Sequence, residues 1–223
     1  MEFLIYADAE LMMIEVAQRL AGELRQALSS SDAASLAVPG GTTPGPIFDS
    51  LCGADLDWSR VAVMLTDERW VPEVSPRSNT RLLKQRLLTG RAASAVHVPL
   101  VTGDALPEEG IPALSDTILP HLPLTVCLLG MGADMHTASI FPGADRLGDA
   151  LSGDVILVPM RAPGAPEPRV TLSARVLRGA ISRHVVITGA SKREALERAR
   201  GLPPEEAPIA AVLKGAVVHW AES

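Results

Sequence analysis

The residues best suited to chemistry lie in one run, Leu129-Gly130-Met131-Gly132-Ala133-Asp134-Met135-His136-Thr137-Ala138-Ser139-Ile140-Phe141-Pro142-Gly143. An apolar stretch opens there into a Gly-x-Gly turn and delivers a carboxylate and an imidazole within three residues. Histidine is the side chain whose ordinary pKa suits proton transfer near neutrality, and a neighbouring carboxylate can fix its orientation. Asp134 and His136 are therefore the candidate acid/base pair. A second run, Thr66-Asp67-Glu68-Arg69-Trp70-Val71-Pro72 followed by Ser78-Asn79, places two carboxylates and a guanidinium at the end of another apolar stretch. Arg69 can grip phosphate with its two-pronged donor geometry, and either Asp67 or Glu68 can orient it or do acid/base work. The plainer reading of the same residues is a surface salt-bridge cluster with Ser78 as a helix cap.

Two further runs could receive an anion. In Val38-Pro39-Gly40-Gly41-Thr42-Thr43-Pro44, the glycine pair lets the backbone come close to a ligand. Its N–H groups and the start of the following helix make a natural anion site, or simply a turn capped by Thr43 with Pro44 in the first helical turn. In Pro168-Arg169-Val170-Thr171-Leu172-Ser173 and Gly189-Ala190-Ser191-Lys192-Arg193, the cations Arg169 and Lys192 are candidate anion partners, and Arg161 lies just upstream.

Short apolar stretches must position these runs. Residues 35–39, 61–66, 125–129, 155–159 and 185–188 are apolar without alternation, as strands covered on both faces are. Residues 9–28 carry apolar side chains at steps of three and four, which predicts an amphipathic helix capped by Asp8, and further helices are expected over 44–51, 78–88 and 192–200. Strand and helix in alternation predict an α/β fold, a mainly parallel sheet flanked by helices on both faces. Residues 216–220 read as a returning edge strand, and the proline-rich stretch 161–168 reads as a loop. No linker interrupts the chain, so residues 1–223 are expected to form one domain. Ligands of such sheets bind at the carboxyl ends of the strands, where the four runs lie.

Composition limits the alternatives. With 47% apolar residues and a mean hydropathy of +0.21, the chain can bury a large core, which excludes a disordered or fibrous protein. A net charge of −6 argues against a surface that coats nucleic acid. Cys52 and Cys127 stand far apart, with no disulfide framework or thiolate metal site, and read as buried thiols. His97, His121, His136, His184 and His219 are scattered without H-E-x-x-H spacing, and no G-x-S-x-G elbow is present, so the expected nucleophile is water and no metal is expected. The start of the chain has no basic segment before an apolar run, and no stretch has the length of a membrane span, so a cytoplasmic protein is expected.

Taken together, G-G-T-T-P at 40–44, T-D-E-R-W-V-P with S-N at 66–79, G-M-G-A-D-M-H-T-A-S-I-F-P-G at 130–143, P-R-V-T-L-S at 168–173 and G-A-S-K-R at 189–193 resemble the 6-phosphogluconolactonase family over nearly the whole chain. The resemblance implies an α/β fold shared with sugar-phosphate isomerases. It also implies hydrolysis of 6-phosphoglucono-δ-lactone to 6-phosphogluconate in the oxidative pentose phosphate pathway. The implied partner is the small sugar-phosphate lactone alone, with no cofactor, nucleic acid, membrane or obligatory protein partner. By the same resemblance His136 is the general base, Asp134 and Asp67 orient groups around it, and Arg69 binds phosphate or stabilises the oxyanion. Gly40, Gly41, Thr42 and Asn79 line the substrate pocket with Arg169 and Lys192. Two departures stand out. Met135 replaces a usual glycine before the histidine, which adds strain if that position needs φ > 0. The usual lysine of an S-P-K-P-P stretch is missing at Ala162-Pro163-Gly164-Ala165-Pro166, and Arg161 is the candidate substitute. A glucosamine-6-phosphate deaminase is the nearest rival, but it would need Tyr at Arg69 and a carboxylate at Phe141. A non-catalytic sugar-phosphate sensor would need a DNA-binding segment that the chain lacks.

Overall fold

The computed structural model describes all residues from Met1 to Ser223. In chain order the elements are β1 (Glu2–Ile5), α1 (Ala9–Ser30), β2 (Ala34–Val38), α2 (Gly45–Leu51), β3 (Val61–Leu65), β4 (Asp67–Arg69), α3 (Asn79–Arg86), β5 (Val96–His97), α4 (Pro107–Ile118), β6 (Val126–Gly130), α5 (Leu147–Ser152), β7 (Leu157–Met160), β8 (Arg169–Leu172), α6 (Ala174–Arg178), β9 (Ser182–Thr188), α7 (Ala190–Ala199), α8 (Ala210–Leu213) and β10 (Val217–Ala221). All five residues of β2 and of β3 are buried, which is why these strands show no alternation in sequence.

Seven strands form a parallel sheet in the order β1-β10-β9-β6-β2-β3-β5. The chain moves one way through β2, β3 and β5, then returns the other way through β6, β9 and β10. Right-handed crossovers therefore put α1, α2 and α3 on one face and α4 and α7 on the other. One contiguous apolar core joins the sheet to both helical layers. No helix is long and apolar enough to cross a membrane.

Several local expectations hold for the reasons given. Asp8 caps α1 by accepting a hydrogen bond from the Leu11 N–H at 2.7 Å, and Ser78 caps α3 by accepting from the Arg81 N–H at 3.2 Å. Others need correction. Residues 216–220 are no edge strand: β10 lies between β1 and β9, and the edge is β1, whose half-exposed residues gave no signal. The stretch 155–159 belongs outside the main sheet, because β7 joins β8 and β4 in a separate antiparallel sheet of order β4-β8-β7. Thr43 caps nothing; Pro44 occupies the cap position of α2 and makes no side-chain bond. Helix α4 contains Pro107 and Pro112 and so escaped the sequence pattern, although Pro107 sits harmlessly in its first turn. Cys127 is buried as expected, which pushes its thiol pKa up to about 12, whereas Cys52 is only partly buried.

Candidate active site

Neighbouring strands β6 and β2 send their crossovers to opposite faces, and this divergence opens a crevice beyond their carboxyl ends. A cavity of about 240 Å³ occupies it, with Pro39, Gly40 and Gly41 after β2 on one wall and Gly130, Met131 and Gly132 at the end of β6 on another. The small antiparallel sheet closes the cavity from outside the main one. Asp67 and Arg69 of β4 and Arg169 of β8 face into it, joined by Asn79 from the first turn of α3 and Lys192 from α7. The register of this second sheet sets Arg69 directly opposite Arg169.

His136 owes its position to a tight turn. The Gly132 N–H donates to the His136 carbonyl at 3.0 Å, and the Met135 N–H donates to the Gly132 carbonyl at 3.0 Å. A Cβ on Gly132 would lie 2.2 Å from His136 Nδ1, so only glycine admits the ring at this place. Met135 has φ 68°, so the position before the histidine does require the left-handed conformation, and a strained methionine fills it. His136 Nδ1 lies 2.5 Å from Asp134 Oδ1, and the ring rests on Phe141 with centroids 4.3 Å apart. The other ring nitrogen, Nε2, has no protein partner, and the imidazole borders the cavity while Asp134 stands behind it.

The two carboxylates of β4 divide cleanly. Asp67 borders the cavity and accepts hydrogen bonds from the Thr66 hydroxyl at 3.1 Å and the Ser139 hydroxyl at 2.5 Å. Glu68 turns the other way, accepting from the Asn79 N–H at 2.9 Å, the Thr80 N–H at 2.6 Å and the Ser78 hydroxyl at 3.2 Å. It thereby ties β4 to the first turn of α3, where N–H groups would otherwise lack partners. Asn79 is held over Gly40 so closely that a Cβ there would fall 2.0 Å from its Cγ.

Three cations line the cavity without an ion pair to any carboxylate: Arg69, Arg169 and Lys192. Arg69 donates from Nη1 to the Arg77 carbonyl at 2.8 Å, and Arg169 lies over the Phe141 ring at 5.3 Å. The Nε of each arginine is buried without a partner. Burial also lowers the pKa of Arg169, opposed by the charge of Asp67.

Two candidates lie elsewhere. Thr42 is exposed and borders no part of the cavity; Thr43 lines it instead. Arg161 is turned to acidic partners away from the cavity. Its Nη1 and Nη2 donate to Glu108 at 2.6 and 3.2 Å, Asp145 stands 3.8 Å away, and it does not reach the cavity. Ser139, Thr66 and Thr171, three buried hydroxyls behind the cavity wall, are not singled out by the sequence. Each lies within a recognised run, but nothing local signals that they meet.

Comparison with known proteins agrees with this geometry. Residues 7–220 match the family described as glucosamine-6-phosphate isomerases/6-phosphogluconolactonase. A 6-phosphogluconolactonase of Rhizobium meliloti (strain 1021) is 41% identical over 223 residues, covering 96% of this chain and 94% of its own. The crystal structure of a 6-phosphogluconolactonase from Shewanella baltica OS155 superposes with a TM-score of 0.96 at 31% identity, covering 99% of this chain and 97% of that one. A monomeric glucosamine-6-phosphate deaminase shares the fold, with a TM-score of 0.82 at 16% identity over 99% of this chain and 97% of its own. The chain belongs to the glucosamine-6-phosphate isomerase/6-phosphogluconolactonase family.

Proposed function

We propose that the chain hydrolyses 6-phosphoglucono-δ-lactone to 6-phosphogluconate, with His136 as the general base and residues 1–223 acting as one unit. The observation that carries this reading is His136 at the cavity wall, its Nδ1 held by Asp134 at 2.5 Å and its Nε2 free, in a cavity lined by three cations that form no ion pair with a carboxylate. The substrate joins a carbonyl to a phosphate dianion, and the cavity joins a proton acceptor to an anion grip. Arg69, Arg169 and Lys192 receive the phosphate, or Arg69 turns to the oxyanion, while Gly40, Gly41 and Asn79 border the sugar.

The steps balance simply. Nε2 takes a proton from water as its oxygen bonds to the lactone carbonyl carbon, giving a tetrahedral oxyanion and an imidazolium that Asp134 stabilises. The oxyanion collapses, the bond from that carbon to the ring oxygen breaks, and the imidazolium returns the proton to the departing oxygen. The new carboxylic acid ionises, leaving 6-phosphogluconate and one proton. The deaminating alternative is poorly served, since Phe141 packs against His136 where that chemistry would want a carboxylate. The test is hydrolysis of freshly generated lactone, with the spontaneous opening subtracted. Acceleration above that background is expected, and its absence would remove the proposal.

A further inference from the structure

We propose that Ser139 is a positioning residue whose hydroxyl keeps Asp67 from forming an ion pair with Arg169, an inference that rests on the lactonase site described above. Ser139 is fully buried and does not border the cavity, so it acts through its neighbours. Its backbone is fixed: the Ser139 N–H donates to the Thr171 hydroxyl at 3.2 Å, and the Ile140 N–H closes the turn on the Thr137 carbonyl at 3.0 Å. Its hydroxyl donates to Asp67 Oδ2 at 2.5 Å, the length of a strong charge-assisted bond.

The surroundings give this bond its significance. Asp67 is the single carboxylate bordering the cavity, among Arg69, Arg169 and Lys192, yet it forms an ion pair with none of them. Both of its oxygens are occupied by neutral hydroxyls, Thr66 on Oδ1 and Ser139 on Oδ2. Arg169 is within reach, since its Nη1 stands 3.5 Å from the same Ser139 oxygen and its Nε is buried without a partner. Hydroxyl donors thus satisfy the carboxylate without consuming a guanidinium. Take the Ser139 hydroxyl away and Oδ2 is a buried acceptor beside an arginine with donors to spare. The carboxylate then turns to Arg169, because a buried acceptor left unpaired is costly. An arginine engaged by Asp67 competes with the incoming phosphate.

The placement of Ser139 three residues after His136 also fixes how the two functions of the site meet. One turn presents the proton acceptor on its cavity side and the Asp67 anchor on its buried side.

The test measures inorganic phosphate binding by calorimetry, alongside KM and kcat for the lactone, in the wild type and in Ser139→Ala. Phosphate Kd and lactone KM should each rise about tenfold, the effect of losing one charged hydrogen bond, while kcat changes by no more than about threefold. In an Asp67→Asn background the same Ser139→Ala change should leave phosphate Kd within about twofold, because an amide cannot neutralise Arg169. A phosphate Kd unmoved in Ser139→Ala, or a tenfold rise that persists with Asn at 67, would overturn the inference. If Ser139→Ala does not fold, Thr66→Val removes the opposite hydroxyl and should raise phosphate Kd in the same direction; an unchanged Kd there counts against the idea. Phosphate binding reads the inference independently of turnover, so a wild type that binds phosphate but fails to open the lactone would sink the lactonase reading alone.

Discussion

Arg161 carries a full charge near the end of β7, yet Glu108 accepts hydrogen bonds from two of its nitrogens and Asp145 holds its backbone N–H at 2.8 Å. The Arg161 guanidinium in turn holds the Glu108 carboxyl below the usual range. A half-exposed pair of this kind contributes about 0–1 kcal/mol to stability and presents nothing to a ligand. Arg161→Ala should therefore leave the lactone KM within about twofold of wild type in steady-state assays, since an exposed ion pair is worth so little. A tenfold rise would return Arg161 to the phosphate grip. Lys192, which borders the cavity with no carboxylate partner, is the cation we propose in place of the absent lysine. Met135 illustrates the opposite situation. Its left-handed backbone costs about 1 kcal/mol relative to an unstrained residue. Surrounding structure enforces that conformation: the Ile209 N–H donates to the Met135 carbonyl at 3.0 Å, and the side chain packs on the core.

At the scale of elements, the site depends on how firmly β4 is fastened to α3. Glu68 makes that joint with a buried carboxylate shared between Asn79, Thr80 and Ser78. Glu68→Gln trades one acceptor oxygen for an N–H₂ facing other donors. It should lower unfolding free energy by about 2 kcal/mol in chemical denaturation, the usual penalty for leaving buried donors unpaired. A loss below about 0.5 kcal/mol, the scatter of ordinary surface changes, would contradict this role. The same joint shows what a sequence can and cannot report. The buried runs of β2, β3 and β6 announce a parallel sheet because each is apolar throughout, and parallel topology then assigns ligands to the ends of those runs. That logic singles out His136, Asp67, Arg69, Arg169 and Lys192, which border the cavity, and Asp134, which contacts His136. The pairing of β4 with β8, however, joins segments about a hundred residues apart, and no local pattern marks it. Equally invisible are the partners each charge finds, which is why sequence does not distinguish Glu68 from Asp67 and points Arg161 toward a cavity it does not border.

Over the whole molecule, acidity and anion binding are reconciled by separation. The net charge is −6, but the cavity gathers three unpaired cations against a single carboxylate held by hydroxyls. A second buried polar system runs from the Tyr6 hydroxyl to His219 at 2.8 Å, on to His184 at 3.0 Å, and to Glu23 of α1 at 2.8 Å. Burial, reinforced by the charges of His184 and Arg19, pushes the His219 pKa down to about 3. Burial raises that of Glu23, but the hydrogen bond and charge of His184 outweigh it and leave the carboxyl below its usual range. Both shifts have the same consequence. An unfolded histidine takes up a proton below about pH 6.5 while folded His219 does not, so stability falls on acidification by up to about 1.4 kcal/mol per pH unit. Glu23 adds to the loss once the pH drops below the ordinary glutamate range. Denaturant midpoints should therefore decline between pH 7 and pH 5, less steeply in His219→Gln; a flat profile in the wild type would refute the sign. The central claim concerns catalysis, and kcat/KM of His136→Ala on freshly generated 6-phosphogluconolactone tests it most directly. Loss of a positioned general base predicts a fall of about 10²-fold or more, with circular dichroism and phosphate binding unchanged; a folded variant retaining wild-type kcat/KM would contradict it.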